Sequence, residues 1–201
     1  MEEDFEMIRP LFLKMKTMAY RRTFCLLVRQ IEQTFPEMTT CLTVSIDLLK
    51  ETELQDYVGF HSYPEPSTIL SRLRTGHRCF VARCKGRIVN AAWAVPNEEI
   101  GFSYFDAIHR RVAERLAPDE VYVYDVFTLP PFRGKNIVGV VFARMIRYFQ
   151  DVGYKRMIVI VEPKNKASLR LMEKAGYRPV RMLHFLALGP FVMMFGWGKQ
   201  D

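Results

Sequence analysis

The sequence predicts a mixed α/β domain, one central and mostly antiparallel sheet with helices on both faces, preceded by an N-terminal helical extension. Three observations predict it. From residue 121 the elements run strand, helix, strand, helix, strand, strand, and the first three make a βαβ unit. Upstream, "RCFVARCKGRIVNAAWAV" is two strand patterns around a tight Lys85-Gly86 turn, the signature of an antiparallel hairpin. At 201 residues, 49% hydrophobic and 25% charged, the chain is long enough for one well-buried domain and too short for two comfortable ones. The expected division is an extension over residues 1–40 and a single domain over residues 41–201.

Each element has its own warrant. In the extension, Phe24, Leu27, Val28, Ile31 and Phe35 recur at i, i+3, i+4, i+7 and i+11, a helical stripe, with Arg21, Arg22, Arg29 and Gln30 on the other side. A basic amphipathic helix packs on its own domain or on a partner subunit, or lies on a membrane surface. A homodimer contact or a surface contact through residues 11–35 is therefore among its expected uses. "TFPEMTT" reads as a connector and "CLTVSI" as a strand, and Asp47 is placed to cap a helix over "LLKETELQDYV". "HSYPEPS" is a loop, "TILSRLRT" a short helix stopped by Gly76, "NEEIGFSYF" a strand ending or irregular loop, and "AIHRRVAERL" a helix stopped by Pro118.

"EVYVYDVFTL" is rich in valine and aromatics, as a strand requires. Phe142, Met145, Ile146 and Phe149 mark the next helix, which Gly153 ends. "RMIVIVE" is the continuous apolar run of a strand buried on both faces. Asn165 caps the helix "NKASLRLMEKAG", Gly176 stops it, and "RPVRMLHFLAL" and "FVMMFGWG" close the chain as two strands joined at Gly189-Pro190.

Bulk properties narrow the function. A net charge of +7 favours anionic partners, but the cations are scattered through "YRRT", "RLRTGHR" and "HRRVAER", which reads as solvated faces and disfavours nucleic acid. Cys25, Cys41, Cys79 and Cys84 form no C-x-x-C pair and have no histidine at zinc-site spacing, so no metal is expected and the thiols read as reduced. The opening "MEEDFEMIRP" is acidic and unlike a signal peptide. The most apolar segment, "MLHFLALGPFVMMFGW", is interrupted by Gly189-Pro190 and too short for a membrane span. A cytoplasmic location follows as the expectation.

The stretch "LPPFRGKNIVGVVFARMI", residues 129–146, leads a strand through a basic turn into a helix. The first amides of a helix have no intrahelical acceptor and sit at the positive end of its dipole, so they bind anions. Arg133 and Lys135 add full charges. The pattern is neither a P-loop nor a dinucleotide fingerprint, since G-x-x-x-x-G-K-[ST] and G-x-G-x-x-G are both missing.

Taken together, "DVFTLPPFRGKNIVGVVFARMI", "GYKRMIVIV" and "EPKNKASLRLMEKAGYRPV" resemble the GNAT superfamily of acyl-CoA-dependent N-acetyltransferases. Its members carry a strand, a loop of form [QR]-x-x-G-x-[GA] and a helix, followed by N-x-x-[AS] leading a second helix that ends in G-F or G-Y. The resemblance covers the element order over residues 78–198 and is motif-specific over 121–178. It implies acetyl-CoA, or another acyl-CoA, as a substrate. The loop Arg133, Gly134, Lys135, Asn136, Ile137 and Val138 would wrap the pyrophosphate, and the backbone around Phe127, Thr128 and Leu129 would pair with the pantetheine arm. Asn165, in the Asn165–Ser168 motif, would sit near the pantetheine or thioester. Two positions depart from the pattern: Asn136 replaces a glycine, which asparagine's tolerance of left-handed backbone makes mild, and Val138 replaces glycine or alanine.

Acyl transfer to an amine needs a proton acceptor, donors for the oxyanion and a proton for the departing thiolate. Asp125, beside Tyr122 and Tyr124, stands where the family's strand often carries an acid. Asp125 and Tyr124 are the expected catalytic residues, and strand alternation would put them on opposite faces. Where many members carry a tyrosine acid, seven residues beyond the motif asparagine, this chain has Met172. His184 reads as a core residue, and His61, His77 and His109 carry no motif. The implied reaction moves an acetyl or other acyl group from coenzyme A to an amine of a small molecule or peptide by direct attack. A non-catalytic module binding acyl-CoA or a protein partner is the alternative, suggested by Val138 and Met172.

Overall fold

The computed structural model describes residues 19–32, 35–61, 63–97, 107–188 and 191–196. The strands are β1 (Ala19–Gln30), β2 (Ser45–Leu48), β3 (Arg78–Cys84), β4 (Arg87–Pro96), β5 (Glu120–Thr128), β6 (Arg156–Val161), β7 (Arg178–Leu188) and β8 (Phe191–Phe195). The helices are α1 (Leu54–Phe60), α2 (Pro66–Arg74), α3 (Ala107–Ala113), α4 (Ile137–Val152) and α5 (Lys166–Lys174). Among the described residues these strands join one sheet in the order β2-β3-β4-β5-β6-β1-β7-β8, in which β5 and β6 pair parallel and the other neighbours antiparallel. The mixed, mostly antiparallel sheet with helices on both faces is as the sequence predicts. "NEEIGFSYF" beyond Asn97 and the Gly189-Pro190 junction lie outside the described residues.

The expected N-terminal helix is a strand. β1 lies between β6 and β7, pairing antiparallel with both, so this part of the extension is internal to the sheet. The helical spacing of Phe24, Leu27, Val28 and Ile31 misled because "FCLLV" is also a continuous apolar run, and a strand buried on both faces needs no alternation. Leu26 and Leu27 are both buried, one on each face. Arg29, counted as a surface cation, is also buried. Its Nη1 donates to the carbonyl of Ala175 at 2.8 Å, and its guanidinium lies 4.9 Å from the Phe35 ring. A cation there meets the negative end of α5. The basic amphipathic surface expected of residues 11–35 does not form over 19–30, and residues 11–18 lie outside the described residues.

Asp47 is a second correction. It sits inside β2, opposite Val81, because the strand falls at Ser45–Leu48 rather than over "CLTVSI". Phe191, Met193 and Phe195 of the edge strand β8 point outward rather than into a core.

The two faces hold different cores. On one, α4 lays Val141, Phe142, Met145, Ile146 and Phe149 against Leu27, Phe80, Val121, Val123 and Val159. Burying a side chain of this size is worth about 1.5–3 kcal/mol, so α4 anchors this layer. Gly153 ends the helix at φ 97, a left-handed cap that glycine adopts without strain, and the Tyr154 N–H closes onto the Phe149 carbonyl at 2.9 Å. On the other face, α1, α2 and α3 cover Leu26, Val81, Trp93, Tyr122, Tyr124 and Ile158.

Candidate active site

The site begins where β5 and β6 part. Their parallel register runs from Glu120↔Arg156 to Val123↔Val159 and stops there. Beyond it β5 stays with β4, and β6 stays with β1 as far as Cys25↔Val161. The edge of β5 from Tyr124 onward is therefore unzipped on the β6 side, and a strand edge without a neighbour accepts an extended ligand. The register with β4 also shifts between Ala91 and Trp93, leaving Asp125 and Val126 bulged, with Asp125 at φ 43.

A cleft of about 1070 Å³ opens at this fork. Most of the residues singled out in the sequence line it: Tyr124, Asp125, Phe127, Thr128, Arg133, Gly134, Asn136, Ile137, Val138, Asn165 and Ser168. Leu129 and Lys135 do not. Leu129 packs into both cores, and the Lys135 ammonium lies 5.6 Å from the Phe132 ring. Several backbone groups expected for a pantetheine arm already have partners. The Leu129 N–H donates to Val89 O at 3.0 Å, Phe127 O accepts from Asn90 Nδ2 at 2.8 Å, and Thr128 O accepts from Arg133 Nε at 3.1 Å. The stretch of β5 that pairs in register with neither β4 nor β6 is its bulge, Asp125–Val126.

At one end of the cleft is the N-terminus of α4. Gly134 (φ 75) and Asn136 (φ 56) both take left-handed backbone, which turns the chain into the helix. Asn136 makes no side-chain cap; its Nδ2 donates to Thr39 O at 2.8 Å, while Thr40 Oγ1 donates to Lys135 O at 2.6 Å. The residue that departs from the glycine pattern thus ties the loop to the crossing segment 38–40. Gly139 makes room for it: a Cβ there would stand 2.4 Å from Asn136 Oδ1. Val138 is half-buried against the α4 core, so its branched side chain need not fill the anion position. The first amides of α4, with no intrahelical acceptor, and the exposed Arg133 form the basic end of the cleft. Facing it, Asn165 Oδ1 accepts from the Ser168 N–H at 3.1 Å and so starts α5, while the buried Met172 lines the wall.

At the other end the cleft meets the α1–α3 face, where the sequence revealed least. The positive φ at Asp125 breaks the alternation that would have put it opposite Tyr124. Its carboxylate instead accepts from Arg72 Nη1 of α2 at 2.7 Å, and that guanidinium lies 5.2 Å from the Trp93 ring and 5.0 Å from the Tyr124 ring. Burial holds the Tyr124 phenol well above its ordinary pKa, a rise the Arg72 charge partly offsets. Its oxygen is 2.5 Å from His77 Nδ1, and His77 is pushed down to about 3 by burial and by Arg72 and Arg78. The Trp93 indole donates to the Tyr57 oxygen at 2.9 Å, and His61 stacks on Phe127 with centroids 4.0 Å apart. His109, at the start of α3, also lines the cleft, its Nδ1 2.5 Å from the Tyr122 oxygen. The three histidines carried no motif; tertiary folding sets them against three rings of β5, His61 on Phe127, His77 on Tyr124 and His109 on Tyr122. His184 lies elsewhere, its Nδ1 3.1 Å from Thr23 Oγ1. Among the described residues, no three His, Cys, Asp or Glu side chains cluster as a metal site, and no helix is long and apolar enough to cross a membrane.

Comparison with known proteins agrees with this fold. No curated protein sequence matches the chain. Solved structures do. The aminoglycoside N-acetyltransferase AAC(6')-Iy, bound to a CoA-containing bisubstrate analogue, matches at 18% identity and a TM-score of 0.52 over 68% of this chain and 91% of that one. A GNAT-family protein of Novosphingobium aromaticivorans matches at 20% and 0.56 over 83% and 65%. The ribosomal-protein-S18-alanine N-acetyltransferase of Escherichia coli matches at 16% and 0.51 over 68% and 78%. At these identities the likeness is one of fold. The sequence itself carries the assignment: residues 46–177 match the profile of the acetyltransferase (GNAT) family, and the chain belongs to that family.

Proposed function

We propose that this protein is an N-acyltransferase that moves an acetyl or other acyl group from coenzyme A to an amine by direct attack of the amine on the thioester. One observation carries the reading: β5 and β6 part beyond Val123↔Val159 into a cleft that runs from the basic helix start of α4 to the polar face under α1–α3. The substrate pyrophosphate would lie on the backbone of residues 133–138, with Arg133 beside it. The pantetheine arm would follow the open edge at Tyr124–Val126, and Asn165 would face it from α5. The thioester would then reach the bulge. There Tyr124, held protonated by burial, would supply the proton that the departing thiolate needs and Met172 lacks. The pair Arg72–Asp125 would hold the bulge and Tyr124 in place. The acceptor is a small-molecule or peptide amine, a range that the aminoglycoside and ribosomal-protein acetyltransferases among its structural neighbours span.

The test is thermal unfolding with and without acetyl-CoA, with longer acyl-CoAs and desulfo-CoA alongside, followed by a screen of amines. A ligand at one hundred times its dissociation constant stabilises by about 2.7 kcal/mol. A shift is expected, and turnover of at least one amine. No shift with any acyl-CoA would end the reading. Met172 favours a second one, a module that binds acyl-CoA without transferring it: a clear shift with no amine acetylated would establish that instead.

A further inference from the structure

The loop that would seat the pyrophosphate is gripped from outside. Between β1 and β2 the chain crosses the start of α4 as a strap, residues 35–44, which forms neither helix nor strand. Exposure alternates along it: Met38, Thr40 and Leu42 are half-buried, while Thr39, Cys41 and Thr43 are exposed. Met38 and Leu42 pack against the α4-side core, and burial of their apolar surface keeps the strap down. Thr40 stands at the inward position between them, where a hydroxyl requires a partner. Its Oγ1 accepts from the Leu42 N–H at 3.4 Å and donates to Lys135 O at 2.6 Å. One residue earlier, Thr39 O accepts from Asn136 Nδ2 at 2.8 Å. The strap thus holds the peptide that joins Lys135 to Asn136 at two points.

A trans peptide points its C=O and its N–H in opposite directions. With Lys135 O drawn onto the strap, the Asn136 N–H of the same peptide is aimed the other way. Gly134 and Asn136 line the cleft and Lys135 between them does not, so the carbonyl side of this peptide is the side away from the cleft. Left-handed residues flank it, Gly134 at φ 75 and Asn136 at φ 56. Backbone N–H groups turned inward by such a conformation form a concavity for anions. Asparagine holds that conformation less easily than the glycine of the family's pattern, which gives an external hold its value.

Resting on the acyltransferase reading above, we propose that Thr40 is a positioning residue of the pyrophosphate site. By keeping Lys135 O on the strap it fixes the Asn136 N–H toward the cleft as a donor for a phosphate oxygen. A donor already aimed spares the ligand the ordering of the loop. The hold comes from outside residues 46–177, which carry the family match, so the site is assembled from two separate parts of the chain.

In the experiment, wild type, Thr40→Val and Thr40→Ser are titrated by calorimetry with acetyl-CoA and with the phosphorylated ADP that remains when coenzyme A loses its pantetheine arm. Urea unfolding of each ligand-free protein checks that all are folded at the titration temperature. Thr40→Val keeps the shape and loses the donor, so both ligands should bind about fivefold to tenfold more weakly. Thr40→Ser keeps the donor and should bind both within about twofold of wild type. In isotope-labelled wild type and Thr40→Ser, the Asn136 amide proton should move downfield when the nucleotide binds, as a new hydrogen bond requires. It should move less in Thr40→Val. Wild-type affinity in Thr40→Val, an equal loss in Thr40→Ser, a loss confined to acetyl-CoA, or a wild type that binds acetyl-CoA but not the nucleotide would overturn the assignment and leave the acyltransferase reading intact. A wild type that binds neither ligand would overturn both.

Discussion

The two faces of the sheet solve opposite problems. Under α4 and α5 the layer is mostly hydrocarbon: Phe80, Phe142, Met145 and Phe149 meet on the β3–β6 strands, with the phenol of Tyr177 and the guanidinium of Arg29 buried beside them. Under α1, α2 and α3 the same strands carry Trp93, Tyr122 and Tyr124, and onto them fold a buried Arg72, His77 and Tyr57. An apolar layer is stable by area alone and tolerates relaxation. A polar layer is stable only while each member keeps its partner. The first face holds the frame still, and the second keeps charge and protons beside the opening between β5 and β6.

The contrast can be broken from either side, and the largest effects come from the two cores. Phe149→Ala should cost about 3–5 kcal/mol through transfer and cavity terms, with little change in acyl-CoA affinity because Phe149 does not line the cleft. Arg72→Ala should cost a similar amount, about 3–5 kcal/mol, for another reason: it strands Asp125. The signature of that difference is rescue. Arg72→Met with Asp125→Leu should recover much of the lost stability in denaturant unfolding, whereas no second substitution of that kind repairs the Phe149 cavity. A double variant no more stable than Arg72→Ala would mean that the pair is not what holds this layer.

His77 sharpens the comparison through pH. Its pKa in the folded protein is about 3, against about 6.5 for a free imidazole, so below pH 6.5 the unfolded chain binds a proton that the folded one refuses. The stability is fully present above pH 6.5 and is lost as pH falls toward 3, with a slope approaching 1.4 kcal/mol per pH unit from this residue. His77→Gln should flatten that slope between those values. A variant whose stability falls as steeply as wild type over that range would show that the acid sensitivity lies elsewhere.

How far this was readable beforehand differs by face. The α4 layer was legible because a long helix repeats its apolar residues every third or fourth position, and Phe142, Met145, Ile146 and Phe149 are all buried as that spacing requires. The turn from β5 into α4 was legible because a turn between strand and helix is local. β1 was not: a run of apolar residues buried on both sides has no period of its own, and Phe24, Leu27, Val28, Ile31 and Phe35 picked out of and beyond it imitate a helical stripe. The polar layer was opaque for a deeper reason. Arg72, His77, His109 and Asp125 come from α2, the turn before β3, α3 and β5 and are brought to one side of the sheet only by tertiary folding, and the bulge that turns Asp125 toward Arg72 reverses the side that alternation assigns to it.

A smaller effect tests the loop. Gly139→Ala places a methyl where Asn136 Oδ1 lies and should push that amide off Thr39. Losing one hydrogen bond of this kind is worth about 1 kcal/mol, a severalfold weakening of acyl-CoA binding. In an Asn136→Gly background the same alanine should cost almost nothing, because the crowding atom is gone. Additive losses in the double variant would sever the link between the two residues.

The smallest expected change separates structure from binding at Asn165. Its Oδ1 is spent on the Ser168 N–H, so Asn165→Ala should cost about 1 kcal/mol of stability, the ordinary worth of a helix cap. Aspartate caps a helix as well as asparagine, so Asn165→Asp should unfold at the wild-type midpoint. It lacks the Nδ2 donor, however, and adds a negative charge opposite the basic loop. If the amide also faces the acyl-CoA, both variants should bind acetyl-CoA several times more weakly by titration calorimetry, although only one of them is less stable. Wild-type affinity in Asn165→Asp would reduce the residue to its cap, and the α5 wall of the cleft would then contribute shape alone.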